Sequence, residues 1–135
     1  MGVVIISMVY AICLFTFEKS PIAYLNVPFP VSEQRVFTEG DEIRFEIERC
    51  VAYPTKYVVT RKLVNDNINA NMKFAYLASA EIDASEKGCT TAPGLPIYIF
   101  HELEAGSWHV EHVIFAKGKF RTHEIQADSI SFVVK

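Results

Sequence analysis

The chain has 135 residues, of which 50% are hydrophobic and 21% charged, enough for one domain with its own core. Its 13 basic and 16 acidic residues leave a net charge of −3. That mild, mixed balance excludes the basic stripe of a nucleic-acid binder and the low-hydrophobicity, high-charge composition of a disordered tail.

Residues 2–17, GVVIISMVYAICLFTF, carry no charge, and every Lys, Arg, Asp and Glu lies at or after Glu18. The run is apolar on all sides, so no face distinguishes a core side from a water side, and lipid is its natural solvent. As a helix it would measure about 24 Å, against a hydrocarbon core of about 30 Å. Continuation past Glu18 and Lys19, with both side chains snorkelling, would close the gap. Ser20-Pro21 is a natural helix stop. Residues 1–20 therefore read as a membrane anchor or signal segment. Two other readings stay open. A cleaved or lipidated signal lacks a basic n-region, and neither Phe15-Thr16-Phe17 nor Ile12-Cys13 is a good processing site. A buried strand of a soluble protein is the plainest alternative. Lys19 and Tyr24 are expected at the membrane interface.

From residue 21 onward no helical period is sustained. Alternation and turn signals recur instead, so residues 21–135 read as an all-β sandwich of about seven to nine strands. Ile22 to Val27 is a first strand, stopped by Pro28 and Pro30. Val36-Phe37 is a short piece, and Thr38 to Asp41 a turn. Glu42 to Cys50 alternates, with Ile43, Phe45 and Ile47 on one face and Glu42, Arg44, Glu46 and Glu48 on the other. Lys56 to Val64 is rich in Val, Tyr and Thr, and the Asn-rich stretch from Asn65 to Asn71 is a loop. Met72 to Leu77 fits a strand, whereas Ala78 to Lys87 would tolerate a helical turn. Cys89 to Ala92 and Ile97 to Phe100 flank Pro93-Gly94-Leu95-Pro96. Ser107 to Lys117 and Phe120 to Gln126 flank Lys117-Gly118, which reads as a tight hairpin turn pairing 112 with 123. Ile130 to Val134 closes the chain. The expected core comprises Ile43, Phe45, Ile47, Trp108, Val110, Phe132 and Val134.

Cys13 falls inside the leader, leaving Cys50 and Cys89. A pair in a small β domain behind a hydrophobic leader suggests a disulfide in an oxidising compartment, with Cα atoms roughly 4.4–6.8 Å apart. Two buried free thiols are the alternative. Cys50 lies on the polar phase of its strand, so either a bulge turns it inward or the bridge lies at the strand end.

Leu103-Glu104-Ala105-Gly106-Ser107-Trp108-His109-Val110 resembles the turn entering strand F of immunoglobulin-like domains. Trp108 stands where those domains carry a corner tyrosine, and Val110 where they carry the second core cysteine. Their core disulfide therefore has no counterpart here, and Cys89 must pair elsewhere if it pairs. A wider likeness joins the apolar leader, the Gly40 to Cys50 strand, Tyr57 to Arg61, Gly88-Cys89 and Gly106 to His109, in that order. The set is similar to small membrane-anchored immunoglobulin-like proteins encoded by tailed bacteriophages, a family whose function is not established. The resemblance implies an immunoglobulin-like domain on a membrane anchor, made in a bacterium as a viral accessory protein.

Candidate chemistry is sparse. His112 and His123, if cross-strand neighbours, present two imidazoles to a metal, but zinc needs three or four ligands, and Glu111 and Glu124 point to the opposite face. His101 and His109 have no such partner. Ser107, His109 and Asp128 compose a hydrolytic triad only on paper, without a nucleophile elbow. No phosphate-binding or dinucleotide glycine pattern and no Asn-x-Ser/Thr acceptor occurs. The expectation is a non-enzymatic interaction module without a cofactor. The membrane holds it through residues 2–17, its domain is periplasmic or extracellular, and it meets a protein or glycan rather than nucleic acid. A secreted or virion-attached structural module and a metal-dependent enzyme are the alternatives.

Overall fold

The computed structural model describes the backbone of residues 2–135 and the side chains of residues 5–12 and 17–135. In chain order the elements are α1 (Gly2–Phe17), β1 (Ile22–Tyr24), β2 (Phe29–Pro30), β3 (Val36–Phe37), β4 (Glu42–Ile43), β5 (Phe45–Val51), β6 (Thr55–Asn65), β7 (Phe74–Tyr76), β8 (Ala80–Ala84), β9 (Gly88–Pro93), β10 (Ile97–Tyr98), β11 (Gly106–Lys117), β12 (Thr122–Asp128) and β13 (Phe132–Val134). Among the described residues nine strands span three residues or more, and β2, β3, β4 and β10 span two each. The short pieces arise where prolines and turns interrupt pairing.

Past α1 the protein is all-β. β5 pairs antiparallel with β1, β2 and β9 in one sheet. β6 and β11 are the long central strands of a second sheet, which adds β12, β13 and, parallel to β13, β3. β4 and β10 form a separate ribbon. The segment from Ala78 to Lys87 is not a helical turn: Ala80–Ala84 is strand β8. The eleven-residue β6 needs partners for its outer edge, and buried backbone groups are seldom left unpaired. β7 covers Lys62 to Val64 and β8 covers Thr55 to Val59.

The inner faces of the two sheets meet in two apolar clusters. One gathers Phe37, Phe45, Leu63, Trp108, Val110 and Phe132 among others. The second gathers Ile22, Val51, Tyr57, Val59, Ile114 and Ala116. The expected core is largely present, with Trp108 and Val110 at 0% exposure, Ile43, Phe45 and Phe132 at 1% and Val134 at 3%. Ile47 is the departure. It is only half-buried because it faces a cleft between the clusters. Trp108 is fixed at its polar end as well, since its Nε1–H donates to the Glu104 carbonyl at 2.8 Å.

Cys50 and Cys89 lie directly opposite each other on β5 and β9 and form a disulfide. Their Cα atoms are 4.0 Å apart, slightly under the expected range. Cys50 keeps the phase of Glu46 and Glu48, so the bridge is on the outer face of the sheet near the end of β5, and no bulge turns it into the core.

The leader is helical over Gly2–Phe17, as its composition predicts. Ile5, Ile6, Met8, Val9, Tyr10, Ile12 and Phe17 are all exposed. The helix does not continue past Glu18, and among the described residues no helix is long and apolar enough to cross a membrane. The reason is a tertiary contact. The Glu18 side chain turns into the loop between β11 and β12, where it is 9% exposed. There its Oε1 accepts from His123 Nε2 at 2.7 Å and its Oε2 from the Phe120 amide at 2.7 Å.

The same capture resets the hairpin. Lys117 pairs with Thr122 and Ala116 with His123, so residues 118–121 form a four-residue loop rather than a two-residue turn. The Gly118 amide donates to the Arg121 carbonyl at 2.8 Å. A Cβ at Gly118 would overlap Glu18 Oε1 and stand 2.8 Å from His123 Nε2, so only glycine leaves room for the carboxylate.

Two predictions follow from this packing. Trp108→Ala should cost about 3–5 kcal/mol, the usual loss for a large enclosed aromatic, read as a lower urea midpoint. The second concerns Glu18. Burial pushes its carboxyl up, but the hydrogen bond and charge of His123 and the Phe120 amide outweigh this and hold it below its ordinary value. A folded-state value below the unfolded one means stability that is complete above the ordinary glutamate range and disappears as pH falls through the lowered value. The midpoint difference between wild type and Glu18→Gln should therefore be present at pH 7 and vanish in acid. Gly118→Ala should lower the midpoint at pH 7 as Glu18→Gln does.

Candidate binding cleft between the sheets

Alternation along three strands points a row of polar side chains inward between the two apolar clusters. On β6 the inward residues run Tyr57, Val59, Arg61, Leu63; on β11 they run Trp108, Val110, His112, Ile114. Arg61 and His112 are direct cross-strand partners. On β5, Ile47 and Arg49 follow Phe45 in the same phase. These residues line a cleft of about 360 Å³ between the sheets. That is within the range of roughly 300–1,000 Å³ typical of small-molecule sites. The segment Pro93-Gly94-Leu95-Pro96 lies along it.

The cleft is electropositive. Arg44, Arg49 and Arg61 line it, and no carboxylate does. Arg44 is neutralised by Glu42. Arg61 donates from Nη1 to the Leu95 carbonyl at 3.0 Å and, more weakly, to that of Pro96 at 3.5 Å. Its Nε is buried without a hydrogen-bond partner, and burial pulls the guanidinium below its ordinary value. Arg49 donates to the Tyr57 hydroxyl at 2.5 Å. Tyr24 bonds to Tyr57 in turn, and its phenol is raised chiefly by burial and further by Tyr57, against the opposing charge of Arg49. Tyr24 therefore lines the cleft. Burial is also the main reason that His112 is pushed down to about 4, with the charge of Arg61 adding to it and the Ala127 carbonyl and Asp128 opposing. The ring is neutral at pH 7. Its Nδ1–H donates to the Ala127 carbonyl at 3.2 Å, which leaves Nε2 as an acceptor. The Phe45 ring meets it edge-on at 6.1 Å.

The other residues singled out in the sequence go elsewhere. His112 pairs with Ala127 and His123 with Ala116, so the two histidines are not cross-strand neighbours. One lines the cleft and the other holds Glu18. Ser107 and His109 both contact Asp66, each at 2.6 Å, while Asp128 accepts from Gln126. The serine is bonded to the carboxylate and not to the histidine, so a relay in the order nucleophile, base, acid is not assembled. Burial raises the Asp66 carboxyl, but hydrogen bonds from Ser107, His109 and Ser131 more than reverse this and keep it below its usual value. That cluster pins the Asn-rich loop to β11. His101 forms an exposed pair with Glu39 at 2.9 Å, worth little in water. Among the described residues no group of three or more His, Cys, Asp or Glu side chains is placed to hold a metal.

Arg49 and Arg61 were not among the residues that the sequence singled out. The signal was present: each continues the inward, apolar phase of its strand, Ile43-Phe45-Ile47-Arg49 and Tyr57-Val59-Arg61-Leu63. An arginine in that phase is either a buried charge or the wall of a pocket.

No family model matches the sequence, and no curated protein matches it. Among solved structures the fold is similar to a β-glucosidase, EmGH1, from Erythrobacter marinus, at 10% identity and TM-score 0.53, covering 86% of this chain and 16% of that one. It is also similar to the C-terminal domain of wzt, at 14% identity and TM-score 0.51, covering 87% of this chain and 75% of that one. The chain thus spans only a small part of the glucosidase. At these identities the likeness is one of fold alone.

Among the described residues the Arg61 guanidinium has no carboxylate partner, and burial alone shifts it. Burying a charge without a counter-charge costs free energy, and an apolar side chain of similar volume removes that cost. Arg61→Leu should therefore fold with a urea midpoint equal to or above that of wild type, joining the two clusters. A marked fall would show that Arg61 is a structural strut.

Proposed function

We propose that this protein is a non-enzymatic binding module, an immunoglobulin-like sandwich held at a membrane surface outside the cytoplasm, with the cleft between its sheets as the binding site. The observation that carries the reading is the break in the core. Arg61, His112 and Arg49 interrupt what would otherwise be one continuous apolar interior, and breaks of local rule of this kind concentrate at functional sites. The immunoglobulin-like assignment draws support from Trp108, whose indole bonds to the backbone four residues upstream, much as a corner tyrosine does. The Cys50–Cys89 bridge favours an oxidising compartment.

Membrane attachment is supported by α1, whose exposed isoleucines, Met8 and Phe17 would be costly in water and favourable in lipid. In this reading Glu18, clasped by the β11–β12 loop, couples helix and sandwich. The role is that of an accessory protein made in a bacterium, in line with the resemblance to membrane-anchored phage proteins. The full chain should co-sediment with phospholipid vesicles at high salt. A chain lacking residues 2–17, which keeps Glu18, should stay soluble with unchanged strand content by circular dichroism. Failure of the full chain to sediment would count against attachment, and loss of the fold in the shortened chain would make α1 part of the domain.

A further inference from the structure

We infer that the cleft takes a small anionic ligand, its acid group seated between Arg61 of one sheet and Arg49 of the other. This rests on the reading of the cleft as a binding site and names the chemistry of its occupant. Three observations carry it. Among the described residues the cleft is lined by three arginines and no carboxylate, and of the three only Arg44 pairs with a carboxylate. Arg61 has a buried Nε–H without a partner, although two carbonyls are already used by the same side chain. A guanidinium is matched by the paired oxygens of a carboxylate or phosphate. Arg49 and Arg61 stand on opposing strands, β5 and β6, so an anion entering between the sheets meets positive charge from both walls.

The remainder of the cleft describes the ligand's body. His112 offers an acceptor, and Thr90 and Tyr57 offer hydroxyls, while Phe45, Ile47 and Leu95 supply apolar wall. This suits a compact acid bearing hydroxyl groups, and the volume of about 360 Å³ excludes a long polymer from full enclosure. A free acid and the acidic unit of a larger glycan share this chemistry.

The test is calorimetric titration of the full chain, in a nonionic detergent at pH 7, with glucuronate, inorganic phosphate and glucose. Saturable binding of glucuronate or phosphate is expected, with no heat from glucose. Glucuronate binding with phosphate silent points to a carboxylate ligand, and the converse to a phosphate ligand. Arg61→Gln should weaken binding of the anion at least tenfold, and so should Arg49→Gln, which guards against a fold defect in either variant. Arg35→Gln, on an exposed arginine outside the cleft lining, should bind as wild type. Equal binding by Arg61→Gln and Arg49→Gln, equal weakening by Arg35→Gln, or no binding of either anion would overturn the inference. Saturable binding of glucose that Arg61→Gln leaves intact would overturn it while leaving the cleft a binding site. Silence from all three probes, with vesicle binding preserved, would remove the anionic ligand without touching membrane attachment.

Discussion

The pairing of β6 with β11 is the constraint on which the rest of the domain depends. From Trp108 opposite Asn65 to Ala116 opposite Tyr57, the two longest strands run in unbroken antiparallel register. Side chains alternate with a strict period of two, so this register decides at once which residues enter the interior. Leu63, Val59, Trp108, Val110 and Ile114 enter with apolar surface. Arg61 and His112 enter as well, opposite one another. A slip by one residue would send them outward and bury Lys62 and Glu111, which instead form an outer-face salt bridge at 3.1 Å. The fold cannot keep its core without also placing a guanidinium and an imidazole inside it.

That consequence divides the interior. Each apolar cluster carries its own anchor residues, Trp108 in one and Ile22 with Ile114 in the other. In the layer between them Arg61 donates to the Leu95 carbonyl and Arg49 to the Tyr57 hydroxyl. Hydrophobic burial is proportional to apolar area removed from water, so two smaller clusters stabilise less than one continuous core. The disulfide between β5 and β9 closes a long loop across the sheet that forms the other wall of the cleft. In the chain-entropy model such a bridge contributes about 3–4 kcal/mol.

At the other end of the domain, Glu18 replaces a free helix continuation with a fixed junction. Its carboxylate, His123 and the Phe120 amide make a small polar knot, and Gly118 supplies the missing volume in which it sits. Charge placed at the boundary between an apolar helix and a β domain thus ends the helix and ties it down.

The sequence alone determined what depends on local pattern. Uncharged residues 2–17 read as a helix, and the alternation of Ile43 with Phe45 and of Trp108 with Val110 read as half-buried strands, because neighbours within a few residues settle both; the Cys50 and Cys89 bridge was suggested by cysteine count and the leader, and its pairing 39 residues apart belongs to the sheet. What only the tertiary structure decided involves groups distant in the chain. Glu18 lies 105 residues from His123, and their contact set both the helix end and the loop length, which no local turn signal at Lys117-Gly118 carries. Strand β8 formed from residues of low strand preference because the outer edge of β6 required a partner. The cleft exists only where Arg49, Arg61 and His112 converge from three strands in two sheets. Their inward phase was legible one strand at a time. Their convergence was not, because it arises from sheet packing and register, which no local pattern of side chains encodes.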